Sequence, residues 1–130
     1  MKTTDLMLRD WVAYEGIPSQ VIMISLEGVA MIVKEEQIIY INSEQLKPIP
    51  LTEEVFKLNG FNSLQITALP HIVIYKIKID ETNYFTLDEM NKHFYVPFCE
   101  GVADINYVHE LQHYLRLAGL YELANNFKIK

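Results

Sequence analysis

The sequence predicts a single α+β polypeptide, with an N-terminal SH3-like small β-barrel or curled sheet, a bracing helix, and an antiparallel sheet packed by a C-terminal helix. Half of the 130 residues are apolar, which is enough to bury a core. Short apolar runs separated by turn residues dominate the chain up to residue 98, and a helical apolar pattern follows. We expect residues 1–50 and 51–130 to be two parts of one compact unit.

The N-terminal part is predicted to contain four strands joined by short turns. These strands are expected at residues 11–14, 20–26, 29–34 and 38–41. Glu27-Gly28 supplies a residue that tolerates positive φ in a tight hairpin, and residues 34–37 form a second polar turn. The runs VIMI and VAMIV are apolar on both faces, whereas a flat sheet with one wet face would alternate. A curled sheet or small barrel is therefore predicted.

The bracing helix is predicted to follow Pro48 and Pro50, which hold the chain extended. Thr52 is a good N-cap residue for this helix. Gly60 can take the left-handed conformation that ends it. The helix is therefore expected to be about two turns long.

The C-terminal part is predicted to be a sheet followed by one helix. Its strands are expected at residues 64–68, 71–79, 84–87 and 93–98. The helix is expected from about residue 105 to 118, with Asp104 as its N-cap and Gly119 as the residue after its C-cap. Leu115 and Leu120 then stand at the contact positions of a Schellman cap.

Composition limits the classes of partner and compartment. The net charge of −6 argues against a nucleic-acid surface made by bulk charge, because phosphate binding uses clustered Lys and Arg. Cys99 is the single cysteine, which favours a reducing, cytoplasmic compartment. The N-terminal segment lacks the apolar core of a signal peptide, and the apolar runs are too short to span a bilayer. Neither a membrane partner nor a nucleic acid is expected, and the oligomeric state is left open.

The C-terminal helix contains the sequence His109-Glu110-x-x-His113, which is the spacing of zinc metallopeptidases. Two His at i and i+4 stand on one face of a helix, where both imidazoles can reach one Zn²⁺. The Glu between them takes a proton from the bound water. One hypothesis is therefore a zinc-dependent hydrolase, with His109 and His113 as ligands and Glu110 as the catalytic base.

A catalytic zinc site also needs a third protein ligand, and the sequence does not supply one in a recognised position. Arg116 and Gly119 do not continue the extended metzincin pattern. Glu122 lies nine residues after His113, so on a continuous helix it would point to the opposite side. Ligands from upstream carry no motif; the candidates are His71, His93, Glu100 and Asp104.

The apolar pattern of the helix favours a structural role for the motif. Its apolar residues form one stripe, made of Ile105, Val108, Leu111, Leu115 and Ala118. His113 projects nearly opposite this stripe, His109 lies on its flank, and Arg116 projects beside both. Arg is always charged and would disfavour a neighbouring Zn²⁺. We therefore interpret the polar residues as a solvated face and assign no catalytic, cofactor-binding or metal-ligating residue; zinc remains the alternative.

The sequence contains three weaker candidates for a functional residue or surface. Cys99 could act as a nucleophile with His93 or His109 as base, although a lone Cys is more often a small buried hydrophobe. Trp11 could be a binding aromatic, and is more often a core residue. A basic patch could serve a nucleic acid; its members would be Lys76, Lys78, Lys92 and Arg116.

The aromatic residues of the second part could line a ligand cleft or fill the core between sheet and helix. They are Tyr75, Tyr84, Phe85, Phe94, Tyr95 and Phe98. Large aromatics commonly occupy the space between a sheet and a helix. Most of them are therefore predicted to be core residues.

Three blocks of the sequence resemble a group of small proteins from prophages and mobile elements of Bacteroides-type bacteria. The blocks are an opening "DL…R…WV" within residues 5–12, "LKPIPLTEEVFKLNGF" at 46–61, and "YVHELQHYLRLAGL" within 105–120. Members of the group often carry the last block as a Tyr-x-His-Gln-Leu-Gln-Asn-like string, without the Glu and the second His. The resemblance implies a phage or mobile-element origin, a cytoplasmic setting and no established activity.

The sequence as a whole favours a non-enzymatic accessory protein of a prophage that acts through contacts with an unknown protein partner. SH3-like barrels commonly serve as interaction modules, and this argument is one of analogy. A zinc-dependent metallopeptidase-like hydrolase is the alternative.

Overall fold

The computed structural model describes residues 1–98 and 101–129 and has the predicted α+β architecture. A curled five-stranded antiparallel sheet is followed by a short helix, a second five-stranded antiparallel sheet and C-terminal helices. Cys99 and Glu100 lie outside the described residues.

The two sheets are built from consecutive stretches of the chain. The first has the spatial order β4-β3-β2-β1-β5. Its strands are β1 (Trp11–Tyr14), β2 (Ile17–Ile24), β3 (Val29–Lys34), β4 (Gln37–Asn42) and β5 (Leu46–Lys47). The second has the order β10-β9-β8-β7-β6. Its strands are β6 (Asn62–Ile66), β7 (Leu69–Lys78), β8 (Tyr84–Met90), β9 (His93–Phe98) and β10 (Gly101–Ile105).

Three α-helices lie within the described residues: α1 (Glu53–Leu58), α2 (Val108–Leu117) and α3 (Tyr121–Asn125). The N-cap prediction for α1 is confirmed, because Thr52 accepts a hydrogen bond from the Val55 N–H at 3.4 Å. Throughout residues 1–98 and 101–129, no helix combines the length and the apolar character needed to cross a membrane.

The hairpin turns of the first sheet follow the chemistry that the sequence indicates. Gly28 has φ 86°, which a residue without Cβ adopts at little cost. Glu35 and Glu36 have φ 48° and 67°. Two consecutive positive φ values match the twist of the flanking strands in a two-residue hairpin. The turn at residues 34–37 is therefore confirmed, although neither of its central residues is Gly.

Two apolar clusters lie on the two sheets. The cluster under the first sheet contains Leu6, Val12, Val21, Ala30, Ile32, Ile41 and Leu46. The larger cluster lies between the second sheet and the helices, where the Phe56 ring stacks on that of Tyr75 with centroids 4.3 Å apart. Leu111 and Leu115 of α2 are fully buried in it, as the apolar stripe predicts. The division at residue 50 stays a prediction.

The predicted start of the C-terminal helix is wrong. Asp104 is not an N-cap but belongs to β10, and the helix begins at Val108 with Tyr107 as its N-cap. Residues 101–105 pair antiparallel with β9, in the register Ile105↔Phe94. Pairing with a neighbouring strand has overridden the local cap signal.

The predicted end of the helix is confirmed. Gly119 has φ 87°, and its N–H donates to the Arg116 carbonyl at 3.0 Å. The Leu120 N–H donates to the Leu115 carbonyl at 2.9 Å. These two bonds form a Schellman motif. The chain then turns into α3, which the sequence did not predict.

Candidate functional site

Several polar residues of α2 are buried, so the predicted solvated face is wrong at His109 and Arg116, whereas Glu110 and His113 are partly exposed. Gln112 is fully buried, and His109 and Arg116 retain 6% and 7% of their exposure. Gln112 and Arg116 are hydrogen-bonded to residues 7–11, the segment that ends at the first residue of β1. A helical wheel does not reveal this contact, because it cannot show which other segment packs on the helix.

Asp10 is the centre of this interface and is fully buried. Its Oδ2 lies 2.7 Å from Nε2 of His113 and also accepts the Met7 N–H at 2.7 Å. Its Oδ1 accepts a hydrogen bond from the Arg116 guanidinium at 2.8 Å. A buried carboxylate needs partners of this kind, because leaving water unpaired would be very costly.

Arg116 extends the interface to the backbone of the N-terminal segment and to α3. One of its terminal nitrogens donates to the Leu8 carbonyl at 3.0 Å, and its Nε donates to Oδ1 of Asn125 at 3.4 Å. The planar guanidinium can make several such bonds in fixed directions. Arg116 therefore joins three parts of the chain: the segment before β1, α2 and α3.

Gln112 makes three hydrogen bonds across the same interface. Its Oε1 accepts the Trp11 N–H at 2.9 Å, and its Nε2 donates to the carbonyls of Arg9 (2.9 Å) and Ala124 (2.8 Å). The side-chain amide thus satisfies backbone groups that no strand or helix pairs. Sequence reasoning missed this residue, because Gln within a helix is usually a surface residue.

His109 lies at one side of an open groove of about 450 Å³. The groove is lined by Met1, Thr4, Asp5, Pro48, Tyr107, His109, Glu110 and His113. The His109 ring stacks on Tyr107 with centroids 6.0 Å apart, and its Nδ1 is buried without a hydrogen-bond partner in the described structure. Burial lowers the pKa of His109 below its ordinary value, because desolvation disfavours the imidazolium ion. Burial therefore favours the neutral form of this packed imidazole.

Glu110 stabilises the start of α2. Its Oε1 accepts the backbone N–H groups of Asn106 and Tyr107 at 3.1 and 3.2 Å. These amides have no helical carbonyl to pair with, and a Glu three residues after the N-cap commonly satisfies them. Its charge also lies at the positive end of the helix dipole. The residue that the zinc hypothesis uses as a base is here a helix cap.

The candidate third ligands lie away from the histidine pair. Glu122 is exposed on α3 and lines a different groove, beside Ile77 and Lys78. His93 faces Asp104 across β9 and β10, with Nδ1 3.9 Å from the carboxylate. His71 is exposed on β7. Among residues 1–98 and 101–129, no three His, Cys, Asp or Glu side chains are grouped so that they could hold a metal ion. Cys99 and Glu100 are outside this range.

The other sequence candidates are largely part of the core. Tyr75, Phe85 and Phe94 are buried between sheet and helices, whereas Tyr84 is exposed. Trp11 packs against the same cluster, and its Nε1 donates to the Phe127 carbonyl at 2.6 Å. The proposed basic patch loses Arg116, which is buried and paired with Asp10.

A second surface, which the sequence did not single out, lies at the edge of the first sheet. Ile38 and Tyr40 on β4 are 62% and 66% exposed. They lie beside Val33 and Met31 of β3, in the register Val33↔Ile38 and Met31↔Tyr40. Directly opposed residues of an antiparallel pair share one face of the sheet. These four residues form an apolar surface, called here the β4 face.

No protein-family model, curated protein or solved structure matches the chain.

Proposed function

We propose that the protein is a non-enzymatic accessory protein that acts through protein contacts, and that β4 is its contact edge. The partner is an extended, uncharged segment of another polypeptide, which adds to the sheet as a strand beside β4. In this mode backbone hydrogen bonds provide affinity, and alternate side chains contact the apolar face. The observation that carries the proposal is the exposure of Ile38 and Tyr40 on an edge strand.

The use of the α2 polar residues within the fold supports a role without catalysis. Glu110 caps the helix, and His113 is hydrogen-bonded to Asp10. A hydrolase would need Glu110 free to take a proton from a bound water. Glu110 instead accepts two backbone N–H groups at the start of α2.

The prophage origin and the cytoplasmic setting belong to the same proposal. The resemblance of the three sequence blocks and the single cysteine support them. The blocks that carry the resemblance meet in space: Asp10 contacts α2, and the Leu51 N–H donates to the Asn106 carbonyl at 2.9 Å. A group-wide requirement for packing, rather than for chemistry, is consistent with these contacts. A nucleic-acid partner is not proposed, because the net charge is −6.

The proposal can be tested by photocrosslinking from the β4 face. A benzophenone amino acid replaces Tyr40 in the full chain, which is expressed in its native host and irradiated, and adducts are identified by mass spectrometry. We expect a polypeptide adduct that disappears when Ile38→Lys is added. The matched control carries the same group at Leu26, which is fully exposed in the turn after β2. An adduct yield at position 40 no higher than at position 26 would contradict the proposal.

A further inference from the structure

We propose that the strand that pairs with β4 is β4 of a second copy of this chain, so that two five-stranded sheets join edge to edge. This inference rests on the proposed function, because it names the partner at the same surface. Its basis is the chemistry of the edge, the direction of its free backbone groups and the self-complementarity of its exposed side chains.

The two described sheets have four edge strands, and β4 has the fewest features that prevent pairing with another strand. Natural edges are commonly blunted by charged residues, Pro, bulges or short length. β5 has two residues, ends at Lys47 and is followed by Pro48. β6 has a register irregularity at Gln65, and β10 contains Asp104. β4 is QIIYIN, without charge or Pro, and it pairs with β3 over six residues with no bulge.

The free backbone groups of β4 belong to the residues whose side chains are exposed. The Ser43 N–H donates to the Gly28 carbonyl at 2.8 Å, toward the β3 side. Because backbone direction alternates along an antiparallel strand, Ile39 and Ile41 also turn toward β3. Ile38, Tyr40 and Asn42 therefore turn their N–H and C=O groups to the open side. Ile38 and Tyr40 therefore offer a partner strand both free backbone hydrogen-bonding groups and exposed apolar side chains.

An antiparallel pair of two β4 strands is self-complementary. A two-fold axis beside Ile39 places Ile38 opposite Tyr40 of the second copy, and Tyr40 opposite Ile38 of that copy. Pairs of aromatic and β-branched residues are favourable across strands. A shift of the pairing by two residues keeps the free backbone groups aligned but would place Ile38 opposite Asn42. A shift by one residue would oppose residues from different faces and would misalign the free backbone groups.

Charge also permits this contact between two acidic chains. Each copy has a net charge of −6, so most surfaces of the protein would repel one another. Within β4 no charged residue is present, and its pairing therefore places no like charges opposite each other. A pair of six-residue strands buries less area than a standard interface, so the dimer is expected to be weak, with a Kd on the order of micromolar.

The first experiment measures the mass of the intact chain by sedimentation velocity between about 1 and 300 μM, a range chosen for micromolar affinity. We expect a monomer–dimer equilibrium that Tyr40→Lys and Ile38→Lys each weaken by at least about tenfold. Leu26→Lys makes the same charge change at an exposed apolar residue away from β4, and it should dimerise like the wild type. Circular dichroism establishes that each variant is folded.

The second experiment tests whether the two-fold axis of the dimer lies beside Ile39. In a Cys99→Ser background, Ile39→Cys should form an intermolecular disulfide under mild oxidation, because directly opposed residues that do not hydrogen-bond lie about 4.5 Å apart at Cα. Leu26→Cys should crosslink far less. A chain that stays monomeric over the whole range, or a dimer that both Lys variants leave intact, would overturn the inference. A monomeric chain that still gives the position-40 adduct with a different protein would overturn the second-copy partner and leave the proposed function standing.

Discussion

Nε2 of His113 lies 2.7 Å from Oδ2 of Asp10, and this contact defines the role of the HELQH segment. Asp10 is fully buried and paired with Arg116, which is always charged, so one carboxylate holds two polar side chains of α2. The contact with His113 thereby joins α2 to the segment before β1 and fixes the orientation of the imidazole.

Loss of the Asp10 carboxylate should be among the most destabilising single changes in the chain. Asp10→Ala leaves the buried Arg116 guanidinium without its counter-ion, which typically costs about 3–5 kcal/mol. The free energy of unfolding in urea measures this loss. Asp5→Ala removes an exposed carboxylate from the same N-terminal segment and should change stability by less than about 0.5 kcal/mol. Equal effects of the two variants would mean that the interface at Asp10 is not structural.

Gln112 should also be required for stability, although it carries no charge. Gln112→Leu keeps a similar volume but leaves the Trp11 N–H and the Ala124 carbonyl without this partner, while the Arg9 carbonyl keeps its bond from Gln20 Nε2. Each buried unpaired group costs about 1–3 kcal/mol, and because the costs are not additive we expect a total of about 2–4 kcal/mol in urea unfolding. Gln45→Leu, at an exposed position, is the control. A Gln112→Leu variant as stable as this control would contradict the expectation.

The cap made by Glu110 predicts different effects for two substitutions. Glu110→Ala removes the acceptor for the Asn106 and Tyr107 N–H groups and should cost about 0.5–2 kcal/mol. Glu110→Gln keeps a carbonyl oxygen at the same position and should retain most of this stability, because Gln also serves in capping boxes. Thermal and urea unfolding of the two variants measure the difference. Wild-type stability in both variants would exclude a capping role.

The burial of His109 predicts a specific pH dependence. Burial lowers its pKa below the ordinary value of 6.5, so the unfolded chain binds a proton at pH values where the folded chain does not. The stability that this group contributes is therefore lost as the pH falls through 6.5 toward the lower pKa of the folded state. His109→Phe removes the titrating group, and its unfolding free energy should fall less than that of the wild type between about pH 7.5 and 5.5.

The control for this measurement is His71→Phe, which removes an exposed imidazole from β7. Its unfolding free energy should follow the wild-type curve over the same pH range. If His109→Phe follows that curve as well, the ring is not desolvated in the folded protein.

Much of the fold could be predicted because its signals are local. Alternating and continuous apolar runs identified eight of the strands, and turn residues such as Gly28 and the cap residues Thr52 and Gly119 fixed the ends of several elements. The two-residue β5 and the helix α3 are too short for a periodic signal. At Asp104 the local cap signal lost to pairing with β9, which depends on a tertiary contact.

The candidate site was predicted less well, because its chemistry depends on contacts between distant residues. The apolar stripe of α2 was placed correctly through Leu111 and Leu115. The opposite face was expected in water, whereas Asp10, more than 100 residues earlier, covers His113 and Arg116. Asp10, an isolated charged residue before the first strand, was the available sign of this interface. Its partners His113 and Arg116 could not be identified without the fold.

The central claim, that the HELQH residues stabilise the fold and do not bind zinc, is tested most directly by nitrogen NMR of the histidine side chains during a zinc titration. We predict that the Nδ1 and Nε2 resonances of His109 and His113 all keep their positions through one equivalent of Zn²⁺. Shifts of a ring nitrogen in both imidazoles that saturate at one zinc per chain would contradict the claim, whether or not the Asp10 hydrogen bond is kept.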